Sequence, residues 1–67
     1  MPKKIRELKR MLRRAGFVMK SGKGSHTNWF HSRYPGRVTV SGNDGGDAQD
    51  YQEDQVRKAI DVVEGKS

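Results

Sequence analysis

The chain has 67 residues, 31% of them hydrophobic, no cysteine and a formal net charge of +6. That length supports one domain over residues 1–67, with a thin core of one helical layer on one small sheet. It excludes a disulfide scaffold, a thiolate metal site and, for want of an apolar run near ~20 residues, a membrane span. Lys3 and Lys4 lead into no apolar stretch, so the N-terminus does not read as a secretory signal, and a cytoplasmic location is expected. Charge is divided unevenly: residues 1–40 hold eleven Lys/Arg against one acid, Glu7, whereas residues 41–67 hold three against seven Asp/Glu. A basic half of this kind points to a polyanionic partner, the plainer alternative being a solvated surface with a chance imbalance.

Residues 3–15 are predicted to form an amphipathic helix. Ile5, Leu8, Met11, Leu12 and Ala15 recur at three- and four-residue spacing as a core stripe. Lys3, Arg6, Lys9, Arg10, Arg13 and Arg14 fall largely on the other side. Pro2 suits the helix entrance and Gly16 its left-handed exit. Cations with only Glu7 to pair repel one another, which makes Arg6, Arg10, Arg13 and Arg14 candidate phosphate-binding residues rather than plain solvation.

Residues 17–20 read as a first strand, 21–24 as a turn, and 25–31 as a second strand rich in aromatic residues. Pro35-Gly36 marks 32–36 as a loop. Val38 and Val40 alternate inward along a third strand, 37–41. Short turns between the three make an antiparallel meander. In the second strand, parity puts Thr27, Trp29 and His31 on one face and His26, Asn28 and Phe30 on the other. Trp29 is the natural core residue, which leaves His26 on the open face with Phe30 exposed beside it, unless a bulge shifts the register and buries Phe30.

Residues 42–50 are polar and glycine-rich, and a mobile loop is expected. Asp44, Asp47 and Asp50 lack the alternating D-x-D-x-D-G order of a calcium loop, so no metal site or cofactor is assigned. Asp50 is the expected cap of a second helix, with Glu53 in a capping-box relation; Val56, Ala59, Ile60 and Val63 supply its buried stripe and Gly65 its end. The predicted class is α+β: α-β-β-β-α, a three-stranded antiparallel sheet with two helices on one face.

The stretch Gly22-Lys23-Gly24-Ser25-His26 is the candidate functional site. Glycines allow amide N–H groups to converge on an anion, Lys23 adds charge, and histidine, with an ordinary pKa of about 6.5, exchanges protons near neutrality. Together they suit a phosphodiester. The same pattern also fits a plain hairpin turn followed by a strand histidine.

The basic helix ending in Ala15-Gly16-Phe17, then Gly24-Ser25-His26, then Gly36-Arg37-Val38-Thr39-Val40, resembles the HicA (YcfA-like) toxins over about residues 5–60. The resemblance implies a double-stranded-RNA-binding-domain-like fold. It also implies the toxin of a type II toxin–antitoxin system, a metal-independent endoribonuclease (mRNA interferase) blocked by a HicB-like antitoxin. The essential histidine of that family corresponds to His26. On this reading RNA's own 2′-OH is the nucleophile, His26 is the general base, and Lys23, Gly24, Ser25 and the Gly22–Ser25 amides meet the developing charge. No general acid is evident. The partners implied are single-stranded mRNA and the antitoxin, with a free monomer becoming a hetero-oligomer in the complex. The acidic loop and Tyr51-Gln52-Glu53 depart from the family pattern. The rival readings are a non-catalytic RNA-binding module of the same fold, or a protein-interaction subunit with a basic face.

Overall fold

The apolar stripe near the N-terminus forms α1 (Ile5–Arg14), described in a computed structural model that covers residues 3–66. Pro2, expected at the helix entrance, lies outside the described residues, as do Met1 and Ser67. Ile5, Leu8 and Leu12 are buried, Met11 and Ala15 pack beside them, and the four arginines are exposed. Gly16 ends the helix with φ 98°, left-handed backbone that a side chain would strain.

Three antiparallel strands follow, β1 (Val18–Ser21), β2 (Thr27–His31) and β3 (Tyr34–Val40), with β2 in the middle. α2 (Asp50–Glu64) completes the α-β-β-β-α succession. Leu8 and Leu12 of α1 and Val56, Ala59 and Val63 of α2 join Trp29, Val38 and Val40 in one core, so both helices cover the Trp29 face of the sheet. Trp29 is fully buried there, which is where alternation along β2 requires it. The α+β class and layout match the expectation. No helix among the described residues is long and apolar enough to cross a membrane.

Several boundaries move, each for a local reason. Phe17 precedes β1 and is a core residue, its ring tilted against those of His31 and Tyr34 at centroid distances of 5.1 and 5.8 Å. The first hairpin turn runs from Gly22 to His26, closed by Gly22 N–H donating to the His26 carbonyl at 2.9 Å, so β2 begins at Thr27 rather than at residue 25. Pro35-Gly36 does not turn the chain. Ser32-Arg33 does, and the Arg33 amide donates to His31 Nδ1 at 2.9 Å. Between the pairs Trp29–Val38 and His31–Tyr34, β2 spends only Phe30 while β3 spends Pro35, Gly36 and Arg37. A bulge on an edge strand tolerates both a missing N–H and a glycine at φ 84°.

The segment before α2 differs most from expectation. It is docked on α1 rather than mobile. Gly46 and Asp44 carbonyls accept the Ile5 and Arg6 amides at 2.9 and 3.2 Å, and the Ala48 amide donates to the Lys3 carbonyl at 2.8 Å. The first amides of a helix have no partner within it, and the loop supplies two of them. The cap of α2 is Gln49, not Asp50. Its amide donates to Gln52 Oε1 at 2.9 Å, the side chain three positions into the helix. Gly65 ends α2 with φ 76°, as predicted.

Candidate functional site

Gly22 and Gly24 each answer a need of the first turn. A Cβ on Gly22 would stand 3.1 Å from the His26 carbonyl oxygen and 3.2 Å from Asn28 Nδ2, too close for comfort. Gly24 has φ 59° with open space around it. The Gly22 amide is committed to the His26 carbonyl and the His26 amide to the Lys23 carbonyl, at 2.9 and 3.0 Å. The expected anion cradle of Gly22–Ser25 amides therefore narrows to Lys23, Gly24 and Ser25. Ser25 is anchored from elsewhere: its Oγ accepts the Gly42 amide at 3.3 Å, fastening the turn to the end of β3.

His26 sits in that turn and not on β2, which corrects the strand assignment. Its backbone hydrogen bonds hold the loop, while its side chain is exposed. A Cβ on Gly22 would stand 3.4 Å from His26 Cβ as well as 3.2 Å from Asn28 Nδ2, so His26 keeps to the Asn28 side of the sheet although it precedes the strand. It lines a groove of about 400 Å³ together with Ser25, Asn43, Asp47, Gln49 and Tyr51. Phe30 is four residues further along, on the order of 13 Å at the ~3.3 Å rise of a strand. It is half-buried, with Lys20 Nζ 5.4 Å above its ring.

His31 is a different kind of histidine. Its ring packs on Phe17, its Nδ1 accepts the Arg33 amide, and its Nε2 lies 3.2 Å from where a Gly16 Cβ would be. Those contacts fill the helix side of the sheet and hold the second turn.

The candidate arginines divide into two groups. Arg6 and Arg13 share a helix face with Lys9, at three- and four-residue spacing. Asp44 stands on that face: its carboxylate accepts from Lys9 Nζ at 2.6 Å. The Asp44 carboxyl is held below its usual value of 3.8, first by that hydrogen bond and charge and then by Arg13 and Arg6. Arg13 also lies over the Trp29 ring, 5.4 Å from its centroid. Arg10 and Arg14 are exposed. Lys4 is paired too, its Nζ 2.7 Å from Asp47. Part of the basic helix is thus neutralised by the chain's own acidic loop. The opposite signs of the two halves were visible in the sequence, but which charges would meet was not.

Arg6 and Arg14 are eight positions apart, about 12 Å along α1 at ~1.5 Å per residue. Ile5 lines the His26 groove, so the start of α1 is the end nearest the histidine. Lys23 and Gly24 stand exposed at the turn's tip. Among the described residues, no three His, Asp or Glu side chains gather as metal ligands.

Of known families, the one described as the HicA toxin of bacterial toxin–antitoxin matches residues 5–62. Comparison with curated proteins and with solved structures gives no match.

Proposed function

Since the chain belongs to the HicA toxin family of bacterial toxin–antitoxin systems, we propose that it is an mRNA interferase whose general base is His26. The observation that carries this reading is the contrast between the two histidines. His31 is occupied by Phe17 and the Arg33 amide, whereas His26 is exposed at the end of a lysine-bearing glycine turn and lines a groove.

The reaction needs little machinery. His26 takes the proton of a ribose 2′-OH, whose oxygen attacks the neighbouring phosphorus. The P–O5′ bond breaks, leaving a 2′,3′-cyclic phosphate and a 5′-OH. A positioned base contributes about 10²–10⁴-fold, and charge directed at the phosphorane oxygens comparable or larger help. Lys23 and the Gly24 and Ser25 amides are the groups assigned to that second role. The departing 5′ oxygen takes its proton from water or from the imidazolium formed in the first step. Arg6, Arg10, Arg13 and Arg14 bind the flanking phosphates, Arg6 and Arg13 in competition with Asp44.

Family membership implies an antitoxin partner. In this reading it is HicB-like, it covers His26, and it sets acidic groups against Lys23 and α1, because a surface built for polyphosphate is best blocked by charge mimicry. The test is to incubate the purified chain with single-stranded RNA in EDTA and identify the new ends. Cyclic phosphate and 5′-OH ends are the expected products. Binding without cleavage would favour the non-catalytic RNA module instead.

A further inference from the structure

Tyr51 is the unexplained side chain of the His26 groove. It lies in the first turn of α2 and is 58% exposed, yet it is a large aromatic in a chain with few of them. Its neighbour Gln52 is almost fully buried, and the Gln52 side chain fixes this corner. Nε2 donates to the Ser41 carbonyl at 2.9 Å and Oε1 accepts the Gln49 amide. The helix start that carries Tyr51 is therefore held rigidly, while the ring itself contributes little to the core.

We propose that Tyr51 is a stacking platform for an unpaired RNA base next to the scissile phosphate, a subsite that rests on the nuclease reading of His26. The groove is lined by His26, Ser25 and Tyr51 among others, and its ~400 Å³ falls within the range of clefts that take a small-molecule-sized group. Cations on α1 and at the turn tip attract phosphates but offer nothing to a base. Single strands are held by combining such cations with aromatic faces on which bases stack. Tyr51 is the aromatic side chain lining this groove. Asn43, Gln49 and Asp47 line the same groove with polar groups able to meet a base edge, and Asp47 is charge-balanced by Lys4. A base seated on Tyr51 would fix its own ribose beside His26, which is the positioning that 2′-OH attack requires.

The test measures binding apart from cleavage. In the full-length His26→Ala protein, the affinity of a short single-stranded RNA is compared with that of the same protein also carrying Tyr51→Ala or Tyr51→Phe. Loss of one stacked base predicts roughly a 5- to 150-fold weaker Kd for Tyr51→Ala. The π-face retained by Tyr51→Phe predicts near-complete recovery. Unchanged affinity in a folded Tyr51→Ala protein overturns the subsite, and His26-dependent cleavage by an otherwise native Tyr51→Ala chain would then leave the nuclease reading standing. Equal loss in Tyr51→Phe also overturns stacking, since it would put the function in the hydroxyl. If Tyr51→Ala weakens binding of the antitoxin but not of RNA, the ring is a protein anchor and the proposal fails. If no RNA binds any of the proteins, both readings fall.

Discussion

Arg13 reaches over the Trp29 ring, whereas Arg10, a candidate for the same phosphate role, is exposed to solvent. An exposed cation–π contact is worth about 0.5–1 kcal/mol. Arg13→Ala should therefore lower stability by about that amount in urea denaturation, and Arg10→Ala by less than about 0.5 kcal/mol. His31→Ala removes an aromatic contact and the acceptor of the Arg33 amide, for a cost of about 1–3 kcal/mol. Its loss of RNA cleavage should follow the fraction unfolded rather than the chemistry, which comparing rates well below the melting temperature will check. At this scale the sequence was informative about Trp29 and His31, because alternation along β2 is a fixed geometric rule. It misplaced the start of β2. Residues 25 and 26 belong to the turn that Gly22 closes onto the His26 carbonyl, although a Cβ on Gly22 would meet both His26 Cβ and Asn28 Nδ2, which keeps His26 on the Asn28 side. Nothing in residue order distinguishes a hairpin turn ending at Gly24 from one ending at His26.

The 42–50 segment reads as solvated from composition alone, and its glycines and aspartates gave no hint of docking. Its fixed place comes from α1. Unpaired amides at the start of a helix need acceptors, and two carbonyls of the loop provide them, with Lys9–Asp44 and Lys4–Asp47 alongside. The Asp44 carboxyl sits below its ordinary value of 3.8, so it favours the folded state above that pH and the benefit is lost as pH falls through the lowered value. Below about pH 4 the amides of Ile5 and Arg6 should therefore lose protection relative to their intrinsic exchange rates, and Asp44→Asn should remove this acid-dependent component while lowering their protection at neutral pH. The same substitution uncovers Lys9, Arg6 and Arg13, so it should tighten RNA binding by a few fold, roughly as expected for freeing one surface charge pair. Looser binding would mean that Asp44 organises the phosphate site rather than competing for it. The Pro35-Gly36 turn failed for a related reason. That pair marks irregular backbone, and a bulge on an edge strand satisfies the same φ constraint as a turn.

For the whole molecule, the α-β-β-β-α order and the two-layer core followed from periodicity, since a chain with so few apolar residues has few ways to bury Trp29, Leu8, Leu12 and Val56 together. The uneven charge also carried through, but as an internal contact as well as a surface. Its free remainder should govern RNA affinity. Log Kd should vary linearly with log salt, and each Arg→Ala among Arg6, Arg10 and Arg14 should reduce the slope by about 0.7 per single-strand phosphate contact while weakening unrelated sequences alike. Affinity indifferent to salt would remove α1 from the RNA surface.

The catalytic assignment rests on His26 lying where a packed histidine would not, at an exposed groove beside the Gly22–Ser25 turn. Its imidazole adds little packing, and the proposed phosphate contacts lie on α1, apart from it. The most direct test is the single-turnover cleavage rate of His26→Ala against the unaltered chain, on one RNA, in EDTA, with circular dichroism and RNA affinity measured on the same samples. The predicted result is native helicity, RNA affinity within a few fold, and a rate lowered by about 10²-fold or more, the contribution of a general base. An undiminished rate in the folded variant would contradict the mechanism.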